Sequence, residues 1–442
     1  MVSARIWSLA TQTMVWLLPL LAGGCSAGTV SEKERGVLKL RHLTDASGPT
    51  QDVSVPLTNG IEDYFEYHNR QGGIRGYKIE LVVEDYAYKA DQAEAIYNRW
   101  KNEPSWSEVV TIFGLGTPDS TRLSPYVTQD RIPYLSQSYL GSLAAPKPID
   151  TTYVLPDGTS LPVKNVGAPF NFFAGTDYST SIRIAMNFIR KRGGYRVAFL
   201  HCSANAYCTA PIVAAKSYLA ELGMMAMGEP ATGRFPELSD SAEVIDTKIK
   251  EYFAQNKDVE WAWIGNLTAT TVSIAKAVAK YAPQVRMVAN TWGFDETVYQ
   301  KCGDPCVNRL FGLVPFAAYG DTRFPEMENV VMIHDLFRNE KGEPPTQFAN
   351  LRYVQGYVAA LLFGVAIERL VDQERPVTRE NLRELLETFK GLQTGGLSGP
   401  ITFTPDDHRP TAATRIYSIN SFGKLKYEDE IKITLRPEWL GW

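Results

Sequence analysis

The sequence predicts an α/β protein made of two doubly wound lobes. Apolar runs of strand length alternate with helix-period segments along most of the chain, and the second half repeats the pattern of the first. The strand-to-helix turns of such a fold lie at the carboxyl ends of parallel strands, where open α/β sheets bind ligands. A length of 442 residues gives room for two or three domain-sized units.

The elements follow in order. "VLKLRHLTD" at 37–45 alternates apolar and polar residues and reads as a strand. Val53, Leu57, Ile61, Tyr64, Phe65 and His68 then recur three or four apart, as on one helix face. "GGIRGYKIELVVED" brings a turn and a second strand, and "KADQAEAIYNRWK" an amphipathic helix. "VVTIFG" is a third strand followed by a helix from Pro118, and "RIPYLSQS" a fourth strand. In the second half, "YRVAFLHC", "DVEWAWIG" and "VRMVAN" are strands. The segments "PIVAAKSYLAELG" and "TVSIAKAVAKYA" are the helices between them. Residues 144–168 break the rhythm; two short extended runs around Pro156-Asp157-Gly158 read as a hairpin insertion. The longest apolar stretch after the N-terminus, around Val358–Ile367, reads as a core helix and not a membrane span.

Composition narrows the function. A formal net charge of −4 leaves no footprint for nucleic acid. The 11% aromatic content fits either a core or a ring-binding cleft. The N-terminus, "MVSARIWSLATQTMVWLLPLLAGGC", has one positive charge, an uncharged segment and small residues before Cys25, as in a secretory signal peptide. Its ending resembles a bacterial lipoprotein box, with Ala22 where leucine is usual; this implies lipidation of Cys25, with 1–25 as signal peptide and 26–35 as a polar tether. Four further cysteines form two local pairs, Cys202/Cys208 and Cys302/Cys306. In an oxidising compartment these close small loops as disulfides; free thiols are the alternative, and the spacing matches no common zinc knuckle. The five histidines are scattered, so neither a metal site nor a cofactor is expected.

"FGLGTPDST" at 113–121 poses the question of chemistry. It lacks the third glycine of a dinucleotide fingerprint and the Lys of a phosphate loop. No Gly-x-Ser-x-Gly elbow or acid/base pair suggests an enzyme, and Asp85 and Asp177 read as turn or cap residues. Thr117 reads as an N-cap with Pro118 at the first helical position, exposing backbone N–H groups suited to a carboxylate. Gly114 and Gly116 are expected to let a ligand approach the backbone.

The pattern Ser47-Gly48-Pro49, a helix, "GGIRG", a strand and an acidic residue resembles the leucine/isoleucine/valine-binding family of ABC-transporter solute-binding proteins. "FFAGTDYSTS", "GLVPFA" and "GLSGPITFTPDDHRP" support the resemblance, which spans about residues 37–425. It implies the type I periplasmic binding protein fold, two Rossmann-like lobes joined by three crossing strands. Lobe one would hold 36–173 and 316–396, and lobe two 175–315 and 397–442. It implies a monomeric, periplasmic, lipid-anchored non-enzyme that captures a small solute and delivers it to an inner-membrane permease and ATPase complex. A sensor of the same fold acting on a signalling partner is the alternative. The implied ligand residues are Gly116, Thr117, Ser136, Gln137 and Ser138 from lobe one, and Tyr207, Asn266, Thr291 and Trp292 from lobe two. Amino-acid binders of the family place an acid where Thr291 stands, and Asp295 lies four residues on. A buried ammonium without a carboxylate is costly. The resemblance with this departure favours an organic or aromatic acid or an amide over leucine, with Tyr207, Trp292 and Tyr139 as candidate ring contacts.

Overall fold

The computed structural model describes residues 33–144, 152–154, 160–162, 170–436 and 440; the predicted signal peptide and Cys25 lie outside these. The first half runs β1 (Gly36–Thr44), α1 (Gln51–Arg70), β2 (Tyr77–Asp85), α2 (Ala90–Lys101), β3 (Val109–Phe113), α3 (Thr117–Gln129) and β4 (Tyr134–Leu135). Two short strands, β5 (Thr152–Val154) and β6 (Ser160–Pro162), pair antiparallel with Val154 opposite Ser160, the hairpin expected there. Then come β7 (Asn171–Phe172), α4 (Tyr178–Lys191), β8 (Arg196–His201), α5 (Ala206–Glu221), β9 (Met225–Ala226), α6 (Ala242–Gln255), β10 (Trp261–Gly265) and α7 (Thr268–Tyr281). The chain continues through β11 (Arg286–Ala289), α8 (Thr297–Cys302), β12 (Leu310–Val314), α9 (Met327–Glu340), α10 (Leu351–Asp372), α11 (Arg379–Leu386), β13 (Ala413–Ile419) and β14 (Leu425–Lys432).

The first sheet has the order β2-β1-β3-β4-β7, with parallel pairing throughout. The second has the order β14-β13-β12-β11-β10-β8-β9. Its β9 to β12 portion is parallel, and the β13–β14 hairpin adds antiparallel at one edge. Both β3 and β10 are buried at every position, which explains their unbroken apolar runs: helices cover both faces of a parallel sheet. The winding direction reverses at β1/β3 in the first sheet and at β8/β10 in the second. These are the positions where a crevice opens beyond the carboxyl ends of the strands.

Three passages connect the lobes, after β7, after β12 and before β13. They are mostly irregular and are tied to one another by hydrogen bonds. Phe316 pairs with Ser398, Ala317 N–H donates to Leu397 O at 2.7 Å, and the Thr176 hydroxyl donates to Ala413 O at 2.5 Å.

Helices α1 and α10 pack backbone to backbone. A Cβ on Gly60 would stand 2.2 Å from Tyr353 O, and one on Gly356 1.9 Å from Leu57 O, so only glycine fits at either crossing point. The buried Arg338–Asp63 ion pair, at 2.8 Å, fastens α9 to α1, and Tyr353 Oη from α10 also donates to Asp63. Helix α10, which holds the Val358–Ile367 stretch, is long and apolar enough to cross a membrane by length and composition. However, 72% of its apolar window is buried inside the protein, as in a core helix.

Candidate functional site

The turn after β3 is built differently from the reading of Thr117 as an N-cap. Gly116 is the cap residue and Thr117 the first helical residue, because Asp119 reaches back to the turn. Its carboxylate accepts the N–H of Gly116 at 2.6 Å and of Leu115 at 3.1 Å. It also accepts the hydroxyls of Tyr86, at 2.6 Å, and of Tyr134. Burial pushes the Asp119 pKa up, against all four bonds.

The two glycines also make room for side chains of the protein itself. A Cβ on Gly114 would fall 2.2 Å from the ring of Tyr134, and one on Gly116 2.4 Å from the ring of Tyr88. The glycines admit the chain's own tyrosines. Tyr88 reaches its place through two successive left-handed residues, Ala87 at φ 52° and Tyr88 at φ 59°. Such backbone costs of order 1–3 kcal/mol per residue, and Asp85 supports it by accepting Ala87 N–H at 2.8 Å.

A small cavity of about 20 Å³, room for about one water, lies where the carboxyl ends of the two sheets meet in this closed form. The first lobe contributes Thr50 and Val53 from the start of α1, Tyr88, the turn Leu115-Gly116-Thr117, and Gln137 beyond β4. Across it stand Tyr178, Tyr207, Leu267 and Trp292. A wider groove opens outside it between α3 and the start of α5, and Thr117 lies on the wall of both. Trp292 is fixed on several sides. Its indole N–H donates to Tyr178 Oη at 3.0 Å, its ring stacks on Tyr139 at 5.5 Å, and the Arg352 guanidinium lies 5.2 Å from its centre.

Five expected residues line this cavity: Gly116, Thr117, Gln137, Tyr207 and Trp292. The other four are buried beside it. Ser138 is bonded hydroxyl to hydroxyl with Thr117 at 2.8 Å, and Ser136 likewise with Ser120 at 2.6 Å. Asn266 turns its amide to Pro236 O at 2.8 Å, leaving the wall to Leu267. The Thr291 carbonyl accepts from Arg352 at 2.9 Å. Tyr139 lies behind Trp292. Tyr207 belongs to the first turn of α5. The Cys202–Cys208 disulfide closes the turn before it with Cα atoms 5.5 Å apart, and Cys302–Cys306 closes the other pair at 6.0 Å.

Thr50, Val53, Tyr88, Leu115, Tyr178 and Leu267 line the cavity without having been singled out from the sequence. Two of them had a usable signal. Thr50 follows Ser-Gly-Pro directly, and Tyr178 follows Asp177, which caps α4 by accepting Thr180 N–H at 2.9 Å.

Burial dominates the electrostatics. It raises the hydroxyl pKa of Tyr88, Tyr178 and Tyr207 well above or above the ordinary value. The Thr117 backbone N–H opposes this at Tyr88, and the Thr117, Ser138 and Trp292 side chains oppose it at Tyr178. Asp295 is committed to Arg352 at 3.7 Å and to the Thr268 hydroxyl at 2.8 Å.

Next to this cluster Glu296 bridges the lobes, accepting Tyr319 N–H at 2.8 Å and Leu351 N–H at 2.9 Å. Burial pushes its carboxyl up to about 7. The folded state therefore holds this proton more tightly than the unfolded chain does. The resulting stability is present in full below the ordinary glutamate value and is lost as pH rises through about 7. Urea unfolding at acid and alkaline pH should show the wild type losing up to about 3 kcal/mol more than Glu296→Gln across that window.

The sequence profile described as "Periplasmic binding protein" matches residues 38–424. The chain belongs to the periplasmic binding protein family. No curated protein sequence matches this chain. Among solved structures, an ABC-transporter substrate-binding protein of Aeropyrum pernix is similar at a TM-score of 0.77 with 26% identity, covering 92% of this chain and 98% of that one. A branched-chain amino acid ABC-transporter protein of Thermus thermophilus with bound valine follows at 0.73, with 18% identity and coverage of 91% and 98%. A fatty acid ABC-transporter substrate-binding protein of Thermomonospora curvata also reaches 0.73, with 17% identity and coverage of 91% and 94%. The latter two share the fold of this periplasmic binding protein.

Proposed function

We propose that this periplasmic binding protein captures a small organic solute between its lobes and delivers it to an ABC importer, tethered to a membrane by a lipid on Cys25. The observation that carries the reading is the cavity at the meeting of the two switch points, walled by side chains of both lobes. Its position between lobes joined by three irregular passages, near residues 173–175, 315–316 and 396–397, suits hinge closure around a solute. The likeness to the Aeropyrum pernix substrate-binding protein supports the transport role.

Thermal-shift screening of the purified protein against a solute library tests the capture step. A true solute at ~100 times its Kd adds ~2.7 kcal/mol of stability. Leucine and valine are expected to leave the melting temperature unchanged, because Thr291 offers no carboxylate to their ammonium. A library in which nothing stabilises the protein, or a compound that is turned over, would sink the reading. Fatty-acid labelling that marks the wild type and spares Cys25→Ser tests the anchor.

A further inference from the structure

We propose that the solute is uncharged and largely apolar at the end that enters the cavity, and takes a hydrogen bond from the Tyr207 hydroxyl. This rests on the cavity being the solute site.

At three turns around the cleft the amides that could cradle an anion are filled by the chain's own carboxylates. Asp45 accepts Gly48 N–H at 2.5 Å and Thr50 N–H at 2.8 Å. Asp119 accepts Leu115 and Gly116. Across the cleft Glu237 accepts Ser203 N–H at 2.9 Å and also Ala204 N–H, ahead of α5. A ligand carboxylate would therefore meet acidic side chains at three turns where bare helix starts would have offered positive ends.

Three of the side-chain donors around the cavity are committed as well. Thr117 and Ser138 bond each other at 2.8 Å, and the Trp292 indole donates to Tyr178 at 3.0 Å. The Tyr178 hydroxyl thus occupies the space between Thr117, Ser138 and Trp292 where the head group of an acid would sit. An ammonium fares no better. No charged side chain lines the cavity, and Asp295 is held by Arg352 and Thr268. The polar atoms left over in the wall include Gln137 Nε2, whose amide is bonded only through Oε1, and Tyr207 Oη, which is buried, with the residue 2% exposed, and has no partner. An orphaned buried hydroxyl is unfavourable, and a carbonyl, ether or hydroxyl oxygen of a neutral ligand satisfies it.

Four compounds that share a benzyl group and differ in charge test this by calorimetry at about pH 7.5, where their ionisation is complete. They are phenylacetamide (neutral), phenylacetate (anion), phenethylamine (cation) and phenylalanine (zwitterion). Phenylacetamide is expected to bind at least about tenfold more tightly than the other three. Tyr207→Phe should lower its affinity about fivefold while leaving the melting temperature of the free protein the same or higher, because it removes the unpaired hydroxyl. Tyr178→Phe should strengthen phenylacetate by releasing Thr117, Ser138 and Trp292. A charged member binding as tightly as phenylacetamide overturns the inference and leaves the cavity as the solute site. So does a Tyr207→Phe variant that binds phenylacetamide undiminished. If none of the four binds, both the inference and the site assignment fall.

Discussion

Replacing Asp119 with alanine is expected to lower the free energy of unfolding by about 3–5 kcal/mol. The carboxylate is fully buried and collects two phenol hydroxyls and two backbone N–H groups from the connection after β2, the β3–α3 turn and β4. Alanine strands all four donors in the interior, and each costs about 1–3 kcal/mol unless it finds another partner. Partial repacking and water entry keep the sum below the simple total. Asp119→Asn keeps the volume but loses acceptors, so an intermediate loss of about 1–3 kcal/mol is expected. Urea unfolding monitored by circular dichroism measures both. If Asp119→Ala lost less than about 1 kcal/mol, the turn would not depend on this carboxylate. Because Gly116 and Thr117 belong to the same turn, solute binding should weaken with stability in this variant.

Trp292→Ala is expected to raise the Kd for the solute by about 30- to 1,000-fold, or about 2–4 kcal/mol. The ring is a wall of the cavity, and its N–H holds the Tyr178 hydroxyl in place. It also covers Arg352 and Tyr139, so its loss exposes a buried guanidinium to the site. Trp292→Phe retains a stacking ring and loses the bond to Tyr178, and should cost about 1–2 kcal/mol of binding. Calorimetry with the solute found by thermal-shift screening separates the two contributions. An unchanged Kd in Trp292→Ala would remove this residue from the site.

The strand and helix alternation was legible because each signal is local. The all-buried runs of β3 and β10 and the face of α1 carrying Val53, Leu57, Ile61, Tyr64 and Phe65 depend only on which residues avoid water. The candidate site was legible where it sits on such elements. Gly116, Thr117 and Gln137 follow strands of the first sheet, and Tyr207 and Trp292 follow strands of the second. Position along the chain does not say which way a side chain turns. Asn266 and Thr291 occupy the right turns, yet one reaches Pro236 and the other offers its carbonyl to Arg352 from α10.

The sequence by itself determined the two-lobed α/β architecture and the paired cysteines. It also placed the cleft at the carboxyl ends of the strands. All of these follow from periodicity, spacing and turn chemistry within short windows. The tertiary structure alone decided what fills the cleft. Tyr88 reaches Gly116 only through the left-handed turn at Ala87 and Tyr88. Tyr178 meets Trp292 across 114 positions of chain, and Glu237 closes the amides of Ser203 from 34 positions away. In the proposed reading, those contacts set the charge a ligand can carry. They arise from packing between distant segments, which no local pattern encodes.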